Sequence, residues 1–124
     1  MTDYSSTTLI SIIIVAALIV GDIVSGLIAA IATKTIDSTK MRNGLWHKTA
    51  YILVIALAGL IEWGESKGVF FGIEIPVLAA SCVYIGVTEI TSIIENIALI
   101  NPELKDTPLL SLFKRSNNTK GNDK

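Results

Sequence analysis

Three carboxylates, Asp22, Glu89 and Glu95, lie within stretches otherwise dominated by Ile, Leu, Val and Ala. Carboxylates in such surroundings can exchange protons, hold cations or bind helices together, because lipid gives them no other partner. The densest polar group runs from Tyr84 to Asn96. On a helix advancing about 100° per residue, Ser81, Thr88, Glu89, Ser92, Glu95 and Asn96 fall within an arc of roughly 120°. Val83, Val87, Ile90, Ile93, Ile94 and Ile97 fill the other side. The segment is therefore an apolar helix with a narrow stripe of carboxylate, hydroxyl and amide groups. In a membrane that stripe must meet other protein or water.

Other chemistry is missing. The sequence contains no nucleophile–base pair, metal-ligand cluster or phosphate loop, so no enzyme activity, metal or cofactor is expected. The single histidine, His47, has no partner at ligand or catalytic spacing and reads as an interfacial residue beside Trp46. The lone Cys82 excludes an intramolecular disulfide and reads as a small packing residue. The net charge of −1 says nothing about nucleic acid, but no basic patch with interleaved aromatics appears, so nucleic acid is not expected as a partner.

The elements that must carry the acids follow from how charge is distributed. Of the 124 residues, 51% are hydrophobic. Asp22 is the only charge between Leu9 and Thr33, and none occurs between Thr49 and Ile61 or between Ile75 and Thr88. A soluble helix repeats its polar face every turn, so these gaps indicate membrane spans. Spans are expected at about residues 9–33, 45–63 and 75–100, in a single domain over 1–103 followed by a basic tail at 104–124. In the first span, Leu, Ile and Val each favour insertion by about 0.3–0.6 kcal/mol, and their sum outweighs the roughly 2.5–3.5 kcal/mol cost of Asp22 at mid-helix. Ala17, Gly21, Ser25, Ala29 and Thr33 form a ridge at four-residue spacing, on which helices can approach closely. Asp22 and Ser25 lie on or beside that ridge.

Lys34 to Lys48 reads as a polar loop, with Asn43-Gly44 as its turn. Trp46 and Trp63 bracket the second span as interfacial anchors. Lys48, Tyr51, Ile55, Ala58 and Glu62 share one face of that span, and Lys48 and Glu62 are expected to reach outward from its ends. Gly64 to Glu74 is a short acidic connection, made flexible by Gly68 and Gly72, with Val69, Phe70 and Phe71 suited to the interface. Asn101-Pro102 should stop the third helix. Thr107 to Arg115 fits a short amphipathic segment lying on the membrane.

Basic residues set the orientation. Lys34, Lys40, Arg42 and Lys48 lie in the first loop, and Lys105, Lys114, Arg115, Lys120 and Lys124 in the tail. The second loop has only Lys67, and the N-terminus has none. The positive-inside rule then places the N-terminus outside and the first loop and tail in the cytoplasm. The expected fold is an all-α integral membrane protein with three transmembrane helices and a short amphipathic C-terminal segment. On this reading no Lys or Arg inside a span pairs with the acids. They must be protonated and packed, or ionised and facing water.

Asp22 with Ser25-Gly26, the run Ser38-Thr39-Lys40-Met41-Arg42-Asn43-Gly44-Leu45 with Lys48, and Ser92-Ile93-Ile94-Glu95-Asn96 together resemble the toxin-secretion/phage-lysis holin family. The resemblance covers Leu9 to about Pro102 and departs at Asn101, where a glycine is expected. It implies a bacteriophage protein that forms homo-oligomers in the host's cytoplasmic membrane. Such proteins open lesions through which an endolysin, or in some loci a toxin, leaves the cytosol before lysis. The family brings no catalytic residues to transfer. On the residue evidence, Asp22, Ser25, Glu89, Ser92, Glu95 and Asn96 are expected at helix contacts or facing a lumen. A small ion-conducting oligomer, a transporter subunit and an antiholin-like regulator are the alternative readings.

Overall fold

The computed structural model describes residues 2–69, 76–106 and 108. Three helices dominate it: α1 (Thr2–Thr33), α2 (Ser38–Ser66) and α3 (Val77–Ile100). A short 3₁₀ turn, Pro102–Asp106, follows α3. At 1.5 Å per residue the helices run about 48, 43 and 36 Å, each longer than the roughly 30 Å hydrocarbon layer. All three are long and apolar enough to cross a membrane.

Helix ends follow local chemistry. α1 closes with Lys34 in the left-handed region (φ 55), where Thr35 N–H donates to the Ala30 carbonyl at 2.9 Å. This is a Schellman-type ending. Asp37 then caps α2, its Oδ1 accepting from the Thr39 and Lys40 amides at 3.0 and 3.3 Å. The expected loop from Lys34 to Lys48 therefore shrinks to four residues. Asn43-Gly44 and His47 lie inside α2 instead of in a turn. The turn signal gives way because the Asp37 cap starts a helix whose following residues, Ser38 to Leu45, contain no proline.

At the other end of α2, Gly68 (φ 76) takes the left-handed position, and Val69 N–H donates to the Gly64 carbonyl at 3.0 Å. Gly68 thus serves as a fixed cap and not as a flexible joint. α3 begins after Pro76, which offers no side-chain cap. Glu62 fills that role from α2: its Oε1 accepts from the Leu78 amide at 3.2 Å. Glu62 is half-buried and turned toward α3, not outward as expected. An unmatched helix amide in apolar surroundings draws the carboxylate in, and the helix N-terminus favours a negative charge. α3 ends where Asn101 precedes Pro102 in extended backbone (φ −127, ψ 95). Phe70 to Ile75, and the segment from Leu109 onward that includes most of the expected amphipathic stretch, lie outside the described residues.

The short α1–α2 connection makes those helices antiparallel, and α3 returns in the direction of α1. α3 is central, packing along α1 and against α2. One apolar cluster joins Val15 and Ile19 of α1, Ala58 of α2, and Leu78, Cys82 and Ile85 of α3. Tyr51 and Ile55 pack on its edge. Cys82 is buried there, in the packing place its sequence context suggests. Elsewhere the surface is oily. Leu9, Ile13, Ile14 and Val20 on α1 and Ile52, Leu53, Leu57 and Leu60 on α2 are all exposed. Such a surface suits lipid and not water. Hydroxyls within the spans satisfy themselves on the preceding turn, as in Thr49 to the Leu45 carbonyl (2.9 Å) and Thr91 to the Val87 carbonyl (2.8 Å).

Candidate functional site

Asp22 is 11 residues from the end of α1, Lys48 is 10 residues from the start of α2, and Glu89 is midway along α3. At 1.5 Å per residue, each is about 15–17 Å from the helix ends on the α1–α2 loop side. Three independent helices thus bring charged side chains to a single level deep in the bundle.

They meet there. Lys48 Nζ donates to Asp22 Oδ2 at 2.6 Å and to Glu89 Oε2 at 2.7 Å. Side-chain exposure is 12% for Lys48, 15% for Asp22 and 3% for Glu89. One ammonium therefore ties all three helices together. Asn96, two turns beyond Glu89 on α3, completes the cluster. Its Nδ2 lies 3.0 Å from Asp22 Oδ1, 3.0 Å from Ser25 Oγ and 3.4 Å from the Asp22 carbonyl. Ser25 Oγ donates to the Asp22 carbonyl at 3.2 Å. Among the described residues, no buried side-chain nitrogen or oxygen lacks a hydrogen-bond partner. Low polarity strengthens each of these contacts.

This arrangement corrects one sequence expectation. Lys48 does not reach outward to an interface; it points into the bundle and pairs with the acids. The physical reason is that two carboxylates buried without a cation cost more than the ammonium's own desolvation. The signal was present. Lys48 shares a helical face with Tyr51, Ile55, Ala58 and Glu62, and that face is the one α2 packs against its neighbours.

The other sequence-selected residues divide. Asp22, Ser25, Glu89 and Asn96 converge. Ser92 is half-buried and Glu95 exposed, and both line a groove beside the cluster. In the ridge, Ala29 is buried and Gly21 and Ser25 are half-buried, whereas Ala17 and Thr33 are exposed. α1 instead packs through Val15, Ile19, Asp22 and Ala29, a stripe of mixed three- and four-residue spacing. A Cβ placed on Gly21 would sit 3.3 Å from Ile93 Cδ1, so glycine allows the close α1–α3 approach there. Lys34, Lys40 and Arg42 are exposed. Lys114 and Arg115 lie outside the described residues.

Among the described residues no group of three or more His, Cys, Asp or Glu is arranged to hold a metal ion. The ammonium of Lys48 already occupies the space between the carboxylates. The site can therefore lock helices or, if the helices part, offer its charges to water.

Asn96→Leu should remove the amide from both Asp22 and Ser25. Detergent-solubilised protein is expected to lose about 1–3 kcal/mol of stability, the usual cost of stranding buried polar groups. Unchanged thermal unfolding would show that Asn96 is a bystander.

No curated protein and no solved structure matches the chain. A sequence model of the bacteriophage holin family, in contrast, matches residues 4–108, taking in the three apolar helices and every member of the charge cluster. With that match over most of its length and three helices fit to cross a bilayer, the chain belongs to the bacteriophage holin family.

Proposed function

We propose that the protein is a pore-forming holin that oligomerises in the bacterial cytoplasmic membrane and opens it to release an endolysin, or a toxin, leading to host cell lysis. The observation that carries this reading is the Asp22–Lys48–Glu89 cluster, set deep within three predominantly apolar helices. A purely structural membrane bundle has no need of charges there, since each costs about 2.5–3.5 kcal/mol at the centre of a span. A protein that must be stable when closed and wettable when open does need them. Packed together, the charges hold the helices. Parted, they line a path that water can fill.

In this reading Asp22, Ser25, Glu89, Ser92, Glu95 and Asn96 move between helix contacts and the lumen. Lys34, Lys40, Arg42, Lys48, Lys114 and Arg115 belong to the basic segments that orient the chain, with its N-terminus outside and its tail in the cytoplasm. Lys48 adds to this the role of tying the helices. Oligomerisation is supported by α2, which buries only Ala58 and Gly64 against the rest of the chain and leaves most of its length for other contacts.

Induced expression in bacteria should collapse the membrane potential abruptly and release a folded cytosolic reporter enzyme. With a co-expressed endolysin, sudden lysis should follow. Loss of potential without loss of the enzyme would indicate a narrow ion channel. Cells that keep both would exclude the pore.

A further inference from the structure

A half-open groove of about 360 Å³ lies between α1 and α2 at their joined ends, with α3 as its third wall. It extends from Lys40, in the first turn of α2, to Lys48, eight residues further along. That is about 12 Å along the helix, close to the depth of one hydrocarbon leaflet. Leu27, Leu45 and Leu99 contribute apolar wall.

Its charges are unevenly engaged. At the floor, Lys48 and Asp22 are bonded to each other. Asp37 is committed to the first amides of α2. That leaves one cation, Lys40, and one anion, Glu95. Both are exposed, and neither side chain has a hydrogen bond or ion pair among the described residues. The groove thus presents an apolar trough nearly a leaflet deep, with one unbonded cation and one unbonded anion toward its polar end.

We propose that this groove binds a single aminophospholipid, with its phosphate on Lys40, its primary ammonium on Glu95 and an acyl chain along the leucine wall. The charge pattern selects this occupant. An anionic lipid would satisfy Lys40 but leave its net charge facing Glu95. A choline lipid would offer Glu95 a cation with no N–H to donate, whereas a primary ammonium gives charge-assisted hydrogen bonds. Water would wet the charged end but not the leucines. The bound chain has a consequence for the cluster at the floor. It excludes water from the Asp22–Lys48 pair, and ion pairs strengthen as their surroundings dry. Lipid binding of this kind depends on the membrane-spanning geometry and not on pore opening, so it stands or falls separately from the lytic reading.

The test uses full-length protein reconstituted into bilayers of equal phosphatidylethanolamine, phosphatidylglycerol and phosphatidylcholine, extracted in mild detergent and examined by native mass spectrometry. One lipid per protomer is expected, with phosphatidylethanolamine enriched about tenfold over each competitor, the ratio one well-placed charged contact supports. Glu95→Gln should abolish the preference over phosphatidylglycerol. Lys40→Ala should reduce retention of every phospholipid. Arg42→Ala, exposed and outside the groove, should leave the ratio of retained lipids unchanged. Equal retention of the three lipids, a preference for phosphatidylglycerol, or no retained lipid in the wild type would overturn the proposal without recourse to any variant. So would an unaltered preference in Glu95→Gln.

Discussion

Lys48→Met is expected to have the largest effect of any single substitution in the described residues. It removes the only cation between Asp22 and Glu89 while filling the space with a side chain of similar length. Breaking a buried ion pair by deleting one partner costs about 3–5 kcal/mol, because the other charge is left uncompensated. Here two carboxylates are stranded 2.6 and 2.7 Å from the lost ammonium, so the upper end of that range applies. In detergent the variant should unfold at much lower temperature. In cells it should trigger early or fail to accumulate. Neutralising the acids at the same time, with Asp22→Asn and Glu89→Gln, should restore most of the loss, since an uncharged cluster of the same shape strands no charge. If the triple variant is no more stable than Lys48→Met alone, the damage comes from packing and not from charge.

The second large effect runs in the opposite direction. The cluster holds two carboxylates and one ammonium, so with all three ionised it carries a surplus negative charge. Glu89→Leu removes that surplus and leaves a matched Lys48–Asp22 pair. The closed bundle should then be as stable as the wild type or more so, by on the order of 1 kcal/mol. On the lytic reading, the wettable surface of α3 is also reduced. Lysis should therefore come later than in the wild type, measured as the time from induction to collapse of optical density with endolysin present. A shortened lag would show that the Lys48–Glu89 contact holds the helices more than the surplus charge loosens them. An unchanged lag would remove Glu89 from the mechanism. The contrast between Lys48→Met and Glu89→Leu is the informative part, because general damage to folding would move both in the same direction.

The three spans were legible because charge-free stretches and their lengths are set by the bilayer, a constraint that acts on sequence directly. So were the acids, since a carboxylate in an apolar run has few uses. The partner was not read from the sequence. Lys48 closes the polar stretch that begins at Lys34 and lies two residues from Trp46, so its local context suggests an interface. Its direction depends on the start of α2, and that start depends on the Asp37 cap eleven residues before Lys48. Once α2 begins at Ser38, Lys48 is nearly three turns deep and on the face of Tyr51, Ile55 and Ala58. Glu62 escaped for a similar reason: its partner is a backbone amide on another helix, freed because Pro76 provides no cap. In the ridge of α1, four-residue spacing drifts around the helix, so its ends, Ala17 and Thr33, turn away from α3 while Ala29 remains against it.

The central claim is that a lysine ammonium bridges two carboxylates inside the membrane and holds three helices together. Solid-state NMR on protein in lipid bilayers can measure this directly, with ¹⁵N at Lys48 Nζ and ¹³C at the Asp22 and Glu89 carboxyl carbons. Hydrogen-bonded ion pairs place nitrogen and carboxyl carbon within about 4 Å. Strong dipolar dephasing from both carbons is the expected result. Dephasing from neither, with a lysine signal exchanging freely with water, would contradict the account.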